Sequence, residues 1–340
     1  MTAIQWTDRT WNPIRGCSLV SEGCRNCYAM KQAHRFSGPG RPYAGLTELG
    51  PAGPRWTGRV SCDEGKLLEP LAWRTPARVF VNLMSDLFHE AVPFEFVDRV
   101  FAVMALARRH TFQILTKRPA RMLEYFTRPG VTGNSREVVI NGAIWSTLGT
   151  RRGSRIKHGG AWRCTWPLPN VWLGVSAEHQ AAADERIPLL LQTPAAVWFL
   201  SAEPLLGAID LTNITAGSMI PQRPEHRVDV LRAGTWELRS GLTRVSPEFI
   251  NHSDMERLDW VIVGGESGPA ARPCYVLWLE AIAKECQAAG VPVFVKQLGA
   301  RPRWAGARSV PIEHARGKCD NPLEWPPELR VREWPEVAHV

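Results

Sequence analysis

Six short apolar runs, separated by stretches of helical periodicity, constrain this chain more than any other feature. The runs are rich in Val, Ile and Phe and predict strands over 79–83, 112–115, 171–175, 197–200, 260–263 and 291–295, with an opening strand near 10–13. Between the first two, Val97, Val100, Phe101 and Met104 follow the i, i+3, i+4, i+7 spacing of an amphipathic helix. Leu279, Ile282, Ala283 and Cys286 do the same between the last two, which makes Cys286 a core residue. Repeated strand-then-helix units imply a parallel sheet with right-handed crossovers. The expected fold class is therefore α/β, a partial (β/α) barrel. A doubly wound sheet is the main alternative.

Two stretches break the repeat. Residues 127–168, rich in Gly, Ser, Thr and Arg, and residues 207–257, mixing Pro, charge and short apolar runs, read as insertions into one barrel spanning 1–300. Residues 301–340 have no clear period and read as a tail packed on the barrel. The chain has 340 residues and 44% apolar content, enough for a large core, and no apolar run long enough to span a membrane. Its first residues lack the basic start and apolar stretch of a signal peptide, so a cytoplasmic location is expected. Fifteen tryptophans are read as core filler more than as stacking platforms.

Eight cysteines are too sparse for a disulfide scaffold, yet Cys17, Cys24 and Cys27 fall within eleven residues. Thiolates are the usual protein ligands of iron–sulfur clusters, and a compact loop can wrap one cubane corner by corner. Three ligands leave one iron open to a small molecule, as S-adenosylmethionine (SAM) requires when it chelates a cluster. A structural zinc site, with His34 or Cys62 as fourth ligand, is the alternative. A loop that binds no metal is the other.

The order of motifs carries a resemblance. Trp6-Thr7-Asp8 and Thr10-Trp11-Asn12-Pro13 lead into Gly16-Cys17 and Gly23-Cys24-Arg25-Asn26-Cys27-Tyr28-Ala29. Later blocks are Val81 to His89, Leu115-Thr116-Lys117-Arg118-Pro119, Trp172 to Ser176, Ser201 to Leu206, Val263 to Gly268 and Lys296-Gln297. Together they resemble the phage-encoded three-cysteine-motif proteins of unknown function, over most of the chain apart from the two insertions. More distantly the chain is similar to radical SAM enzymes of the spore photoproduct lyase type. The cysteine spacing departs from the commonest radical SAM pattern, and the aromatic expected before the last cysteine follows it as Tyr28.

The distant resemblance implies a radical SAM-type partial barrel holding a [4Fe-4S] cluster on Cys17, Cys24 and Cys27, with SAM beside it. Ligands of α/β barrels bind at the C-terminal ends of the strands, where Ser85, Asp86, Lys117, Ser176 and Glu266 fall. Asp86 would accept hydrogen bonds from the SAM ammonium, and Lys117 would face its carboxylate. Ser85-Asp86 is equally readable as a helix cap, Lys117 as a surface lysine, and Gly264 to Gly268 as a turn that needs glycine. Glu203 is a further polar wall or a partner for Arg or Lys.

The first insertion concentrates charge: Arg128, Arg136, Arg151, Arg152, Arg155, Lys157 and Arg163 face one acid, Glu137. Trp145, Trp162 and Trp166 interleave with them, as in a nucleic-acid-contacting flap, with Arg151, Arg152, Arg155 and Lys157 on phosphates. A solvated loop is the rival reading. The expected function is a radical SAM enzyme forming a 5′-deoxyadenosyl radical to modify or repair a nucleic acid or nucleotide, with a reductase as electron donor. Rival expectations are a zinc-stabilised nucleic-acid-binding protein and an adaptor without catalysis.

Overall fold

The computed structural model describes residues 4–51, 53–128, 136–149, 164–220, 225–238, 247–252, 255–304 and 317–336. Its main element is one seven-stranded parallel sheet of β1 (Arg9–Trp11), β2 (Arg78–Val81), β3 (Thr111–Thr116), β4 (Val171–Ser176), β5 (Val197–Ala202), β6 (Trp260–Gly264) and β7 (Val293–Gln297). The strands lie in sequence order, β1 to β7, with no reversal. A doubly wound sheet reverses its order at a switch point, whereas a barrel winds in one direction. Strand order thus decides between the two α/β architectures in favour of the partial barrel. The central strands are buried on both faces, all six residues of β4 and all five of β6 included. That is the burial expected of parallel strands covered on both sides.

The chain divides into two compact units, residues 1–173 with 193–196, and residues 174–192 with 197–340. In the first, β2 pairs with both β1 and β3, setting Thr10, Phe80 and Gln113 in register. Helices α1 (Tyr28–Arg35), α2 (Phe94–Leu106), α3 (Pro119–Thr127) and α4 (Arg136–Gly149) accompany them. Phe94 and Phe101 of α2 meet Tyr125 of α3 at ring separations of 5.4 and 5.3 Å, the spacing at which aromatic pairs attract. Helix α4 lies inside the stretch read as an insertion and buries Ile140 and Ile144, one helical turn apart. Trp166, expected on a flap, stacks on Phe126 at 5.3 Å and contacts Phe101 at 5.8 Å, so its ring belongs to this aromatic core.

In the second unit, β6 pairs with β5 and β7, and α5 (Gln180–Leu191) and α6 (Val276–Ala289) accompany the strands. Cys286 is fully buried on α6. Two antiparallel pairs, Ile214–Thr215 with Arg227–Val228 and Gly234–Leu238 with Pro247–Asn251, occupy the second insertion. The tail runs along β7: Val295 donates its amide to Val331 at 3.0 Å and Glu333 donates to Val293 at 3.0 Å. No helix among the described residues is long and apolar enough to cross a membrane.

Helix α6 carries one strained titration. Burial, with help from Asp210 and Asp229, pushes the Glu285 carboxyl up to about 7, although it accepts the Leu211 amide at 3.0 Å. Its native pKa lies above the ordinary value of 4.5, so the folded state holds the proton longer than the unfolded chain. Its contribution therefore costs nothing below pH 4.5 and becomes unfavourable as pH rises to 7. Glu285→Gln keeps the acceptor and removes the titration. The melting temperature of the variant should match wild type near pH 4.5 and exceed it at pH 8. A difference independent of pH would contradict the assignment.

Candidate metal centre

The cysteine loop begins at Gly16, directly after the two-residue strand Ile14–Arg15. Gly16 has φ +88°, and an added Cβ would lie 2.2 Å from the Arg59 carbonyl oxygen, so glycine alone fits there. A parallel bridge joins Gly16 to Ser85, whose hydroxyl donates to the Ile14 carbonyl at 2.9 Å. Cys24 closes the short 3-10 turn Glu22–Cys24, and Cys27 is the N-cap of α1, its amide donating to the Cys24 carbonyl at 3.2 Å. Cys17 and Cys27 pack against a small core of Ala29, Met30, Ala33, Leu46 and Trp56.

All three thiols are free. Burial, joined by the Asp86 carboxylate, pushes the Cys17 thiol up to about 12, while Arg118 pulls the other way. Burial also raises the Cys27 thiol, against the amides of Met30 and Ala29 and the Trp56 side chain, which favour its thiolate. Cys27 acts electrostatically on Cys17, and Cys24 on Cys27, so the sulfurs share one neighbourhood. A bound cation reverses this logic, because a coordinating thiol is deprotonated outright. Three unpaired thiols on one loop, with donors aimed at Cys27 and a guanidinium beside Cys17, fit the donor set of a cluster with one open iron. Among the described residues, no group of three His, Cys, Asp or Glu side chains is placed to hold a metal ion. His34, the candidate fourth zinc ligand, has Nδ1 3.1 Å from the Thr47 hydroxyl, and Cys62 feels Glu64 and Arg99.

The loop is fastened to the ends of β2 and β3 by buried charge. Asp86, 6% exposed, accepts from the Phe88 amide at 2.9 Å, the Thr116 hydroxyl at 2.8 and 2.9 Å, and the Lys117 amide at 3.2 Å. Its fourth partner is Arg118, whose Nη1 donates to Oδ2 at 3.1 Å. Arg118, 7% exposed, also donates through Nε to Glu90 at 2.9 and 3.0 Å, and through Nη2 to the Ser18 carbonyl at 3.3 Å and hydroxyl at 2.7 Å. Its Nη1 lies 3.9 Å from Cys17 Sγ. Burial opposes the Arg118 charge, but Asp86, Cys17 and Glu90 outweigh it and hold its pKa above the ordinary value. His89 completes the clasp. Its Nδ1 accepts the Ala91 amide at 3.1 Å, which leaves the proton on Nε2 to donate to the Ser18 hydroxyl at 2.9 Å.

Cys17, Ser85, Asp86 and the Thr116–Lys117–Arg118 turn are therefore brought together in the first unit. Ser176 and Glu266 lie in the second. The Ser176 carbonyl accepts from Arg186 at 2.7 Å, which also pairs with fully buried Glu178 at 2.9 Å. Glu266 takes Arg272 on both oxygens, at 2.6 and 3.0 Å, plus the Arg272 amide at 2.8 Å. An added Cβ at Gly265 would lie 2.4 Å from the Leu298 carbonyl oxygen, so close approach of two loops accounts for that glycine. Over the end of β6, Lys296 grips Glu203 at 2.6 and 2.8 Å, and Gln297 donates to Glu203 at 2.9 Å. Arg151, Arg152, Arg155 and Lys157 lie outside the described residues, as does Trp162.

Fold and site define a parallel α/β protein with a three-cysteine loop fastened at strand ends. Over residues 1–320 the chain matches the family described as a protein of unknown function, DUF5131, and it belongs to that family. Comparison with curated proteins and with solved structures found no match.

Sequence reasoning passed over Arg118, Ser18, His89 and Glu90. Arg118 and His89 stand inside quoted motif blocks, but nothing local marks an arginine before Pro119 as buried. Asp86 serves four donor groups within the fold, so its replacement acts on stability first. Asp86→Ala should cost about 3–5 kcal/mol, because Arg118 loses its one buried carboxylate and keeps only the water-facing Glu90, while the Phe88 and Lys117 amides and the Thr116 hydroxyl lose their acceptor. Urea unfolding checks this, and a loss under about 1 kcal/mol would contradict the clasp.

Proposed function

We propose that this chain is a radical SAM enzyme of partial-barrel type, with Cys17, Cys24 and Cys27 as the ligands of a [4Fe-4S] cluster. The observation that carries the reading is the attachment of the cysteine loop, through Arg118 and Asp86, to the C-terminal ends of adjacent parallel strands. Ligands bind at such ends in barrel folds. When bound, the cluster supplies one electron, from a reductase, that cleaves SAM to methionine and a 5′-deoxyadenosyl radical.

The chain's own residues do the positioning. Ser85 and Gly16 fix where the cysteine loop begins. The Ala29 and Met30 amides favour thiolate at Cys27. Asp86 holds the Lys117 backbone at the strand end, and Lys117 is the residue proposed to meet the SAM carboxylate. The substrate proposed is a nucleic acid or nucleotide, supported by the distant resemblance to the spore photoproduct lyase type and by the basic residues of 127–168.

Protein purified without oxygen should hold about four irons per chain, and Cys17→Ala, Cys24→Ala or Cys27→Ala should each abolish the cluster. Reduction in the presence of SAM should release 5′-deoxyadenosine, detected by mass spectrometry. Lys117→Ala should weaken SAM binding by roughly 1.5–3 kcal/mol, the range of a charge-assisted contact. It is a cleaner probe than Asp86→Ala, whose loss of stability would mask any loss of contact. Stoichiometric zinc in anaerobic material would overturn the proposal in favour of a structural zinc protein. A loaded, reduced cluster that leaves SAM intact would overturn the enzyme class.

A further inference from the structure

We infer that Arg118 is a positioning residue that sets the reduction potential of the cluster, by holding a fixed cationic donor against the Cys17 sulfur. The inference rests on the cluster reading above and adds a role that no motif assigns.

The guanidinium is locked in orientation. Its Nε is taken by Glu90, its Nη2 by the Ser18 carbonyl and hydroxyl, and its Nη1 by Asp86, so the one direction left to Nη1 is toward Cys17 Sγ at 3.9 Å. Ser18 is itself held by His89, so both the arginine and the residue after Cys17 are tied by hydrogen bonds. Arginine stays protonated in proteins, so this charge does not switch with pH. Its carboxylate partners differ in weight. The Asp86 side chain is 8% exposed, whereas that of Glu90 is 66% exposed and faces water, which screens it.

One-electron reduction adds one negative charge to a cluster and takes it from an external donor, here of the reductase class. No proton moves at Arg118. Hydrogen bonds to the sulfurs and nearby net charge are among the determinants of cluster potential. A fixed positive donor on a ligand sulfur stabilises the more negative, reduced state and raises the potential. Asp86 and Glu90 pull the other way, and of the two Glu90 can be neutralised without opening the core.

A merely structural clasp would affect folding and iron loading but leave the midpoint of a folded, loaded protein alone. The test is a redox titration of anaerobically purified wild type, Arg118→Lys, Arg118→Gln and Glu90→Gln, each with iron quantified beforehand. In Arg118→Gln the reduced-to-oxidised ratio at a fixed solution potential should fall about tenfold, equivalent to ~59 mV for one electron. Arg118→Lys keeps the charge without the fork and should fall between it and wild type. Glu90→Gln should move the midpoint upward only slightly, because water screens that carboxylate, and Arg118→Lys serves where the Arg118→Gln chain does not fold. Fully loaded variants with the wild-type midpoint would overturn the role of Arg118 and leave the cluster reading standing. Iron absent from wild type and every variant would overturn both.

Discussion

Taking Arg118 and Asp86 out of water is costly, and such a pair repays its desolvation only when its geometry is good and its remaining donors and acceptors are met. Here they are met almost completely. Asp86 receives two backbone amides, a threonine hydroxyl and the guanidinium, while Arg118 reaches Glu90, Ser18 and Cys17 besides. The pair ties the end of β2 to the end of β3 and both to the cysteine loop, which has only a small core of its own. A hydrophobic pair of similar volume could fill the same space. It could not orient the loop, and orientation is what a metal centre demands.

On the proposed reading, the same arrangement accounts for ligation by thiols that burial keeps neutral. Burial holds Cys17 neutral, with a pKa pushed up to about 12. A cation provides what burial withholds, and the protein contributes only directed donors: the Arg118 guanidinium beside Cys17, and the Ala29 and Met30 amides at the start of α1 beside Cys27. On that reading ligation and folding of the loop are coupled, because metal binding draws on Cys17 and Cys27 sulfurs that burial keeps protonated.

The strands were legible because parallel strands covered on both faces read as unbroken apolar runs. Their ends were less so. β4, β5 and β7 continue through Ser176, Ala202 and Gln297, whose polar or small side chains look like loop in a sequence window. Strand order, which separates a barrel from a doubly wound sheet, is a non-local property and left no mark in the pattern. Helix α4 was hidden by the Gly, Ser, Thr and Arg around it, although Ile140 and Ile144 show the helical spacing. At the site, the cysteine cluster and Asp86 were visible as residue types in suggestive places. The partner of Asp86 was not, because Arg118 lies 32 residues away and its burial depends on how two strand ends meet. Glu266 read as a strand-end residue for a ligand, yet the arginine six residues on occupies both of its oxygens.

On the proposed reading, the fastened cysteine loop carries a cluster with one iron left open to SAM. Electron paramagnetic resonance of the anaerobically purified, reduced protein, recorded with and without SAM, tests it most directly. The account predicts the signal of a one-electron-reduced [4Fe-4S] cluster whose line shape changes when SAM is added, because SAM takes the iron that no cysteine holds. A reduced protein with no iron signal, or a cluster signal indifferent to SAM, would contradict it.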